Sequence, residues 1–234
     1  GVLKQTSRSQ WKKPLYLYTP EDVRREVIHL EEKTLYGYAW NKVYRVQSLR
    51  ESGVVFEKIT LIEDIKFNVS YFDSVCSMNV LNTTPYHYLK RIDGSLTNKF
   101  LPDYFTLNAE RVFLVLEQYK NWGMCTEEVR RILANIYVRY LFSALQRNCD
   151  KRSDMNHAQR KEWLKQQYKT PLCKELLSAV QASGTLFKCM AKAFCAGNIP
   201  LCLMIARSIF AVKKRVSHGL FDTQTTALTE FACF

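Results

Sequence analysis

From Thr126 onward the chain places its apolar residues at helical intervals. Ile132, Leu133, Ile136, Tyr137, Tyr140 and Leu141 form a wide apolar stripe around a 3.6-residue turn, with Thr126 positioned to cap it. Just upstream, Asn108 is placed to cap a helix carrying Val112, Val115, Leu116 and Tyr119, which stops at Gly123. Shorter helices follow at about 156–168, 171–182, 184–196 and 199–213. Residues 106–234 therefore read as an all-α helical domain.

Residues 1–105 have a different texture. Thr19-Pro20-Glu21-Asp22 reads as a helix start, with Thr as N-cap, Pro at the first position and acids in the first turn. Val23, Val27 and Leu30 follow at helical spacing. Residues 37–45 have no clean period. Val54-Val55-Phe56 after Gly53 predicts a short strand. Glu63-Asp64 opens a second helix through Ile65, Val69 and Phe72. Val75 to Tyr88 is β-rich and breaks at Pro85, and residues 91–105 read as a long loop.

Charge separates the two regions further. The 234 residues carry a net charge of +12. Residues 1–105 hold 15 Lys+Arg and 12 Asp+Glu, whereas residues 106–234 hold 19 and 10, so most of the excess lies in the helical region. A basic balance points to anionic partners. Residues 1–14 lack the apolar core of a secretory signal, and no stretch reaches the roughly 18 apolar residues of a membrane span. The expected location is cytoplasmic, or the inner face of a membrane. The eight cysteines are scattered singly with no C-x-x-C, and the four histidines do not cluster with them. Free, mostly buried thiols are expected rather than a disulfide framework or zinc site.

Common catalytic signatures are absent: no G-x-G-x-x-G, no phosphate loop, no H-E-x-x-H, no G-x-S-x-G and no D-x-D. Three ordered blocks stand in their place. The first is Trp40-Asn41-Lys42-Val43-Tyr44-Arg45. The second is Phe56 followed by Glu63-Asp64-Ile65-Lys66-Phe67-Asn68. The third runs from Tyr86-His87-Tyr88-Leu89-Lys90-Arg91 to Ser95. Their order and spacing resemble the acceptor-side half of family 2 glycosyltransferases, over roughly residues 36–98.

The resemblance implies a fold class of α+β: an incomplete GT-A-like α/β half (1–105) followed by the helical domain (106–234). It also implies inverting transfer of a sugar from a nucleotide-diphosphate sugar to the hydroxyl of an acceptor glycan or lipid-linked acceptor, in bacterial polysaccharide or glycoconjugate synthesis. Such a transfer needs a base opposite the leaving group. By position Asp64 is that base and Glu63 its neighbour. Arg91 and Ser95, with Lys90 assisting, match the family's loop that closes on the diphosphate. Trp40 offers a flat face to a sugar ring or packs below the site, with Asn41 and Lys42 as polar contacts.

Only 39 residues precede Trp40, and none of them carries the family's nucleotide-binding strands or D-x-D. The resemblance therefore implies a C-terminal portion of a longer enzyme. A divalent cation, Mg or Mn, is implied for the complete enzyme and none for this chain alone, which is expected not to transfer sugar by itself.

Other readings attach to the same residues. Glu63 and Asp64 fit a helix cap. Tyr86 and Tyr88 fit strand packing, with His87 an ordinary strand residue between them. Arg130, Arg131, Arg139, Arg147, Lys151, Arg152, Arg160, Lys161, Lys165, Lys169 and Lys174, interleaved with Tyr140, Trp163 and Tyr168, fit a nucleic-acid surface, although no recognised binding motif accompanies them. Ile199 to Ala206 leading to Lys213-Lys214-Arg215 fits a segment lying on a membrane, or a buried bundle helix with a solvated end. A non-catalytic basic helical module, binding a membrane surface or a protein, is the alternative to the enzyme.

Overall fold

A computed structural model describes residues 11–59, 62–84, 86 and 100–219. The first element is a strand, β1 (Leu15–Leu17), followed by α1 (Pro20–Glu32). The expected cap forms: the Thr19 hydroxyl oxygen accepts the Asp22 N–H at 3.2 Å, and Val23, Val27 and Leu30 point into the core. After an irregular stretch come α2 (Val46–Ser52), α3 (Glu63–Phe72) and the strand β2 (Met78–Val80). The strands pair antiparallel, Leu15 opposite Val80 and Leu17 opposite Met78.

The remaining elements are helices: α4 (Tyr104–Asn121), α5 (Glu127–Arg147), α6 (His157–Lys169), α7 (Pro171–Leu176), α8 (Thr185–Cys195) and α9 (Ile199–Gly219). The described residues are thus mostly helical, with one small antiparallel sheet, an α+β arrangement.

The organising element is α5. Its stripe proves wider than one face: Val129, Ala134, Val138, Phe142 and Leu145 are buried as well as the residues noted above. A helix that is apolar on most sides must be covered on most sides. Accordingly α4, α9, α1, α7 and α8 all pack on it. The Thr126 hydroxyl oxygen accepts the Val129 N–H, and Gly123 takes the positive φ that ends the helix before it. One buried cluster runs from Leu17 and Val23 through α3 to Ala206, so the two sequence regions share a core.

Several expectations are corrected. Val54-Val55-Phe56 forms no strand: Val55 and Phe56 are exposed, and Phe56 instead stacks on Phe67 with centroids 4.1 Å apart. A β-prone run without a neighbouring strand has no ladder to join. Among its described residues the β-rich run after Val75 yields only β2. Helix α4 starts at Tyr104, not Asn108. Asn108 lies inside it, donating its side-chain amide to the Tyr104 carbonyl at 2.7 Å. The helix expected over 171–182 stops at Leu176 and passes through a 3-10 turn, beyond which the Asn135 side chain holds the Gln181 backbone through both its N–H and its C=O. Among the described residues the thiols are free, but Cys76, Cys189 and Cys195 are exposed while Cys173 and Cys202 are buried.

Among the described residues no helix is long and apolar enough to cross a membrane. Helix α9 sits in the bundle, with Cys202, Leu203 and Ala206 buried.

Candidate active site

The first two sequence blocks meet in space. Asp64, in the first turn of α3, accepts the Ala39 N–H on Oδ2 at 3.1 Å, which brings it to the base of the Trp40 loop. Both acids lie in the first turn of α3, where they favour its dipole, but neither caps it. The N-cap residue is Ile62, which makes no side-chain cap, and the Asp64 carboxylate reaches across to another segment. Glu63 lies beside it, and its Oε2 is buried with no hydrogen-bond partner. Such an oxygen is costly to bury and uncommon in native structures.

Trp40 is 39% exposed and forms the middle of a three-ring stack. Its centroid lies 5.0 Å from Tyr38 and 4.5 Å from Tyr86, with interplanar angles of 28° and 26°. Tyr86 is half exposed and belongs to this stack, while both strands end short of it; this corrects its reading as a strand-packing residue. A half-exposed run of parallel rings is a surface on which a flat or amphipathic ligand can lie.

Asn41 and Lys42 turn inward. Asn41 donates its amide to the Leu35 carbonyl at 2.9 Å. The Lys42 ammonium donates to the carbonyls of Leu35, Tyr36 and Tyr38 at 2.7, 2.8 and 2.6 Å, and to Asn41 Oδ1 at 2.9 Å. Burial pushes Lys42 down to about 7, with Glu31 and Asp64 pulling the other way and Arg111 adding to the drop. These two side chains hold the loop's carbonyls together and bond to the chain itself.

Beneath the loop a polar network joins Tyr44 and Asn68 of the first two blocks to Tyr36 and Gln118, which no motif marks. Tyr36 is fully buried and donates its hydroxyl to Gln118 Oε1 at 2.8 Å; Gln118 in turn donates to the Val69 carbonyl. Asn68 donates to the Tyr36 carbonyl and accepts from the Tyr44 hydroxyl. Burial first, and then the Asp64 charge, raises the Tyr44 phenol above its ordinary value.

Glu31, at the end of α1, takes two bonds from Arg111 of α4 at 2.8 and 2.9 Å. The Arg111 guanidinium also lies 5.7 Å from the Tyr38 ring centroid. Burial works against the Arg111 cation, and Glu31 overrides it, so its affinity for a proton is raised. One signal pointed to this pair: acids in the last turn of a helix oppose its dipole and need a compensating cation.

Gly37 explains why the loop lies so close. A Cβ there would sit 2.3 Å from Arg111 Nη2, and that guanidinium is pinned by Glu31. Gly37→Ala is expected to destabilise the protein by about 1–3 kcal/mol through overpacking. Urea unfolding checks this, and an unchanged midpoint would mean that Arg111 moves freely.

Arg91, Ser95, Lys90, His87 and Tyr88 lie outside the described residues. No group of three His, Cys, Asp or Glu side chains among the described residues could hold a metal ion.

Many members of the basic stretch are engaged locally. Arg130 pairs with Glu175, Arg131 with Glu128, Arg152 with Asp150 and Lys165 with Glu162, while Arg160 donates to the Met155 carbonyl. Its aromatic residues are also packed: Tyr140 is buried, Trp163 meets Phe105 edge to face, and Tyr168 stacks on Phe194. Base stacking needs exposed rings, which these do not supply. No protein-family model, curated protein or solved structure matches the chain.

Proposed function

We propose that the chain carries the acceptor-side catalytic portion of an inverting glycosyltransferase of GT-A type, acting on a nucleotide-diphosphate sugar. The observation that supports this reading is the contact between the Asp64 carboxylate and the Ala39 N–H at 3.1 Å. It brings an acid in the E-D-x-x-F-N block against the backbone that leads into the exposed Trp40 stack of the W-N-K block. In this reading Asp64 removes the proton from the acceptor hydroxyl as the oxygen attacks the anomeric carbon, with the nucleoside diphosphate leaving on the opposite face. Tyr38, Trp40 and Tyr86 receive the acceptor's sugar face. Asn41, Lys42, Asn68 and Gln118 position the loop rather than touch substrate. The resemblance assigns Arg91 and Ser95 to the diphosphate. Synthesis of a bacterial surface polysaccharide or glycoconjugate is the implied setting.

The test is sugar transfer by the complete reading frame with a panel of UDP-, GDP- and dTDP-sugars, read as nucleoside diphosphate released in the presence of acceptor. Trp40→Ala is expected to raise the acceptor KM about tenfold with kcat nearly unchanged, the effect of losing one stacked ring. An unchanged KM removes the ring stack from the acceptor site. No transfer from any donor overturns the reading.

A further inference from the structure

Helices α8 and α9 are joined by a tight turn that forms an exposed corner of the bundle. Gly197 takes a φ of 64°, and the Asn198 N–H reaches back to the Ala193 carbonyl at 3.0 Å. The Asn198 side chain accepts the Leu201 N–H at 3.1 Å. The end of one helix and the start of the next are thus both satisfied inside the turn, which fixes its shape. The turn carries no charge: Cys195, Ala196, Gly197, Asn198 and Pro200 are all exposed. Met204, one turn further along α9, is 59% exposed, while the core-facing side of α9 is supplied by Cys202, Leu203 and Ala206.

Cations stand behind this uncharged tip. Lys188 and Lys192 of α8 and Arg207 of α9 are exposed, and among the described residues none of the three forms an ion pair or a hydrogen bond through its side chain. The sequence holds no acid between Glu175 and Asp222, against six Lys and Arg. At about 1.5 Å of rise per residue, Lys192 lies about 5 Å behind the tip, Met204 about 7 Å, and Lys188 and Arg207 about 10–12 Å. Apolar groups of peripheral proteins enter the head-group and acyl boundary to a depth of about 5–10 Å. A tip at that depth brings the three cations level with the lipid phosphates, since Lys and Arg extend their charged ends toward the polar layer. A nucleic acid would call for exposed rings, and the exposed part of this hairpin has none. An acidic protein would leave the uncharged tip without a function.

We propose that the α8–α9 turn docks the protein on an anionic phospholipid surface, with the tip and Met204 at the acyl boundary and Lys188, Lys192 and Arg207 on the phosphates. This docking does not rest on sugar transfer at Asp64.

The experiment is co-sedimentation of the whole chain with vesicles of phosphatidylcholine mixed with phosphatidylglycerol, and with vesicles of phosphatidylcholine alone. Binding to the mixed vesicles is expected at low salt, falling as salt rises, with the chain left in solution by pure phosphatidylcholine. The triple variant Lys188→Gln/Lys192→Gln/Arg207→Gln is expected to partition about a hundredfold more weakly, from three lost contacts with the anionic surface. Met204→Glu is expected to lose about tenfold, from the lost apolar burial. All four positions are exposed, so the variants are compatible with folding, and circular dichroism checks that they fold. The charge-matched control Lys12→Gln/Lys13→Gln/Lys58→Gln, at exposed positions outside the hairpin, is expected to bind nearly as the unaltered chain does. An equal loss in that control would make net charge the cause and overturn the proposal. Undiminished binding of Met204→Glu would overturn it as well, since an anionic partner other than a bilayer needs no apolar tip. So would no binding at low salt, or equal binding to both kinds of vesicle.

Discussion

Asp64→Asn is expected to lower sugar transfer by about 10²–10⁴-fold, the range of general acid–base catalysis, while leaving the fold nearly intact. The carboxamide cannot take the acceptor's proton. Its carbonyl oxygen can still accept the Ala39 N–H that Asp64 Oδ2 receives at 3.1 Å, so the loop stays in place. The measurement pairs kcat for the complete reading frame with the urea midpoint of the variant. Near-normal turnover would remove Asp64 as the base. A large fall in stability with proportionate loss of turnover would make it a structural tie between the loop and α3 instead. Glu63→Gln is the useful companion, because its buried Oε2 has no hydrogen-bond partner and so ties nothing visible in place.

Glu31→Ala is expected to destabilise the protein by about 3–5 kcal/mol, the cost of leaving one partner of a buried ion pair behind. Glu31 is 2% exposed and Arg111 8%, and removing the carboxylate deletes both of the bonds it accepts from the guanidinium. The consequences extend to the candidate site, since the same guanidinium lies against Gly37 and near the Tyr38 ring. Replacing both partners, Glu31→Leu with Arg111→Met, is expected to recover much of the loss, because no buried charge is then unpaired. Urea unfolding of the two single variants and the double variant checks this. A single-variant cost near that of a surface pair, below about 1 kcal/mol, would show that water reaches Arg111.

The helices were legible because their signals are local. Thr19 and Thr126 sit one residue before the helices they cap, and the apolar repeat of α5 is contained within its own turns. The three site blocks were legible as patterns of residue types, but the direction in which each side chain points was not. Asn41 and Lys42 read as ligand contacts through the resemblance of the W-N-K block. The fold turns them onto the carbonyls of Leu35, Tyr36 and Tyr38, which a loop packed over a core must satisfy somewhere. Val54-Val55-Phe56 had strand propensity, yet a strand exists only if a second one lies alongside.

The sequence by itself determined where most helices begin, that the second region is helical, and that Trp40 and Asp64 belong to one constellation. Only the tertiary structure decided that both regions share one core, that Glu31 and Arg111 pair across 80 residues, and that Gly37 gives that pair its room. The reason is physical. Caps and periodicity depend on neighbours a few residues apart, whereas buried charges and close approaches depend on which surfaces the helices bring together.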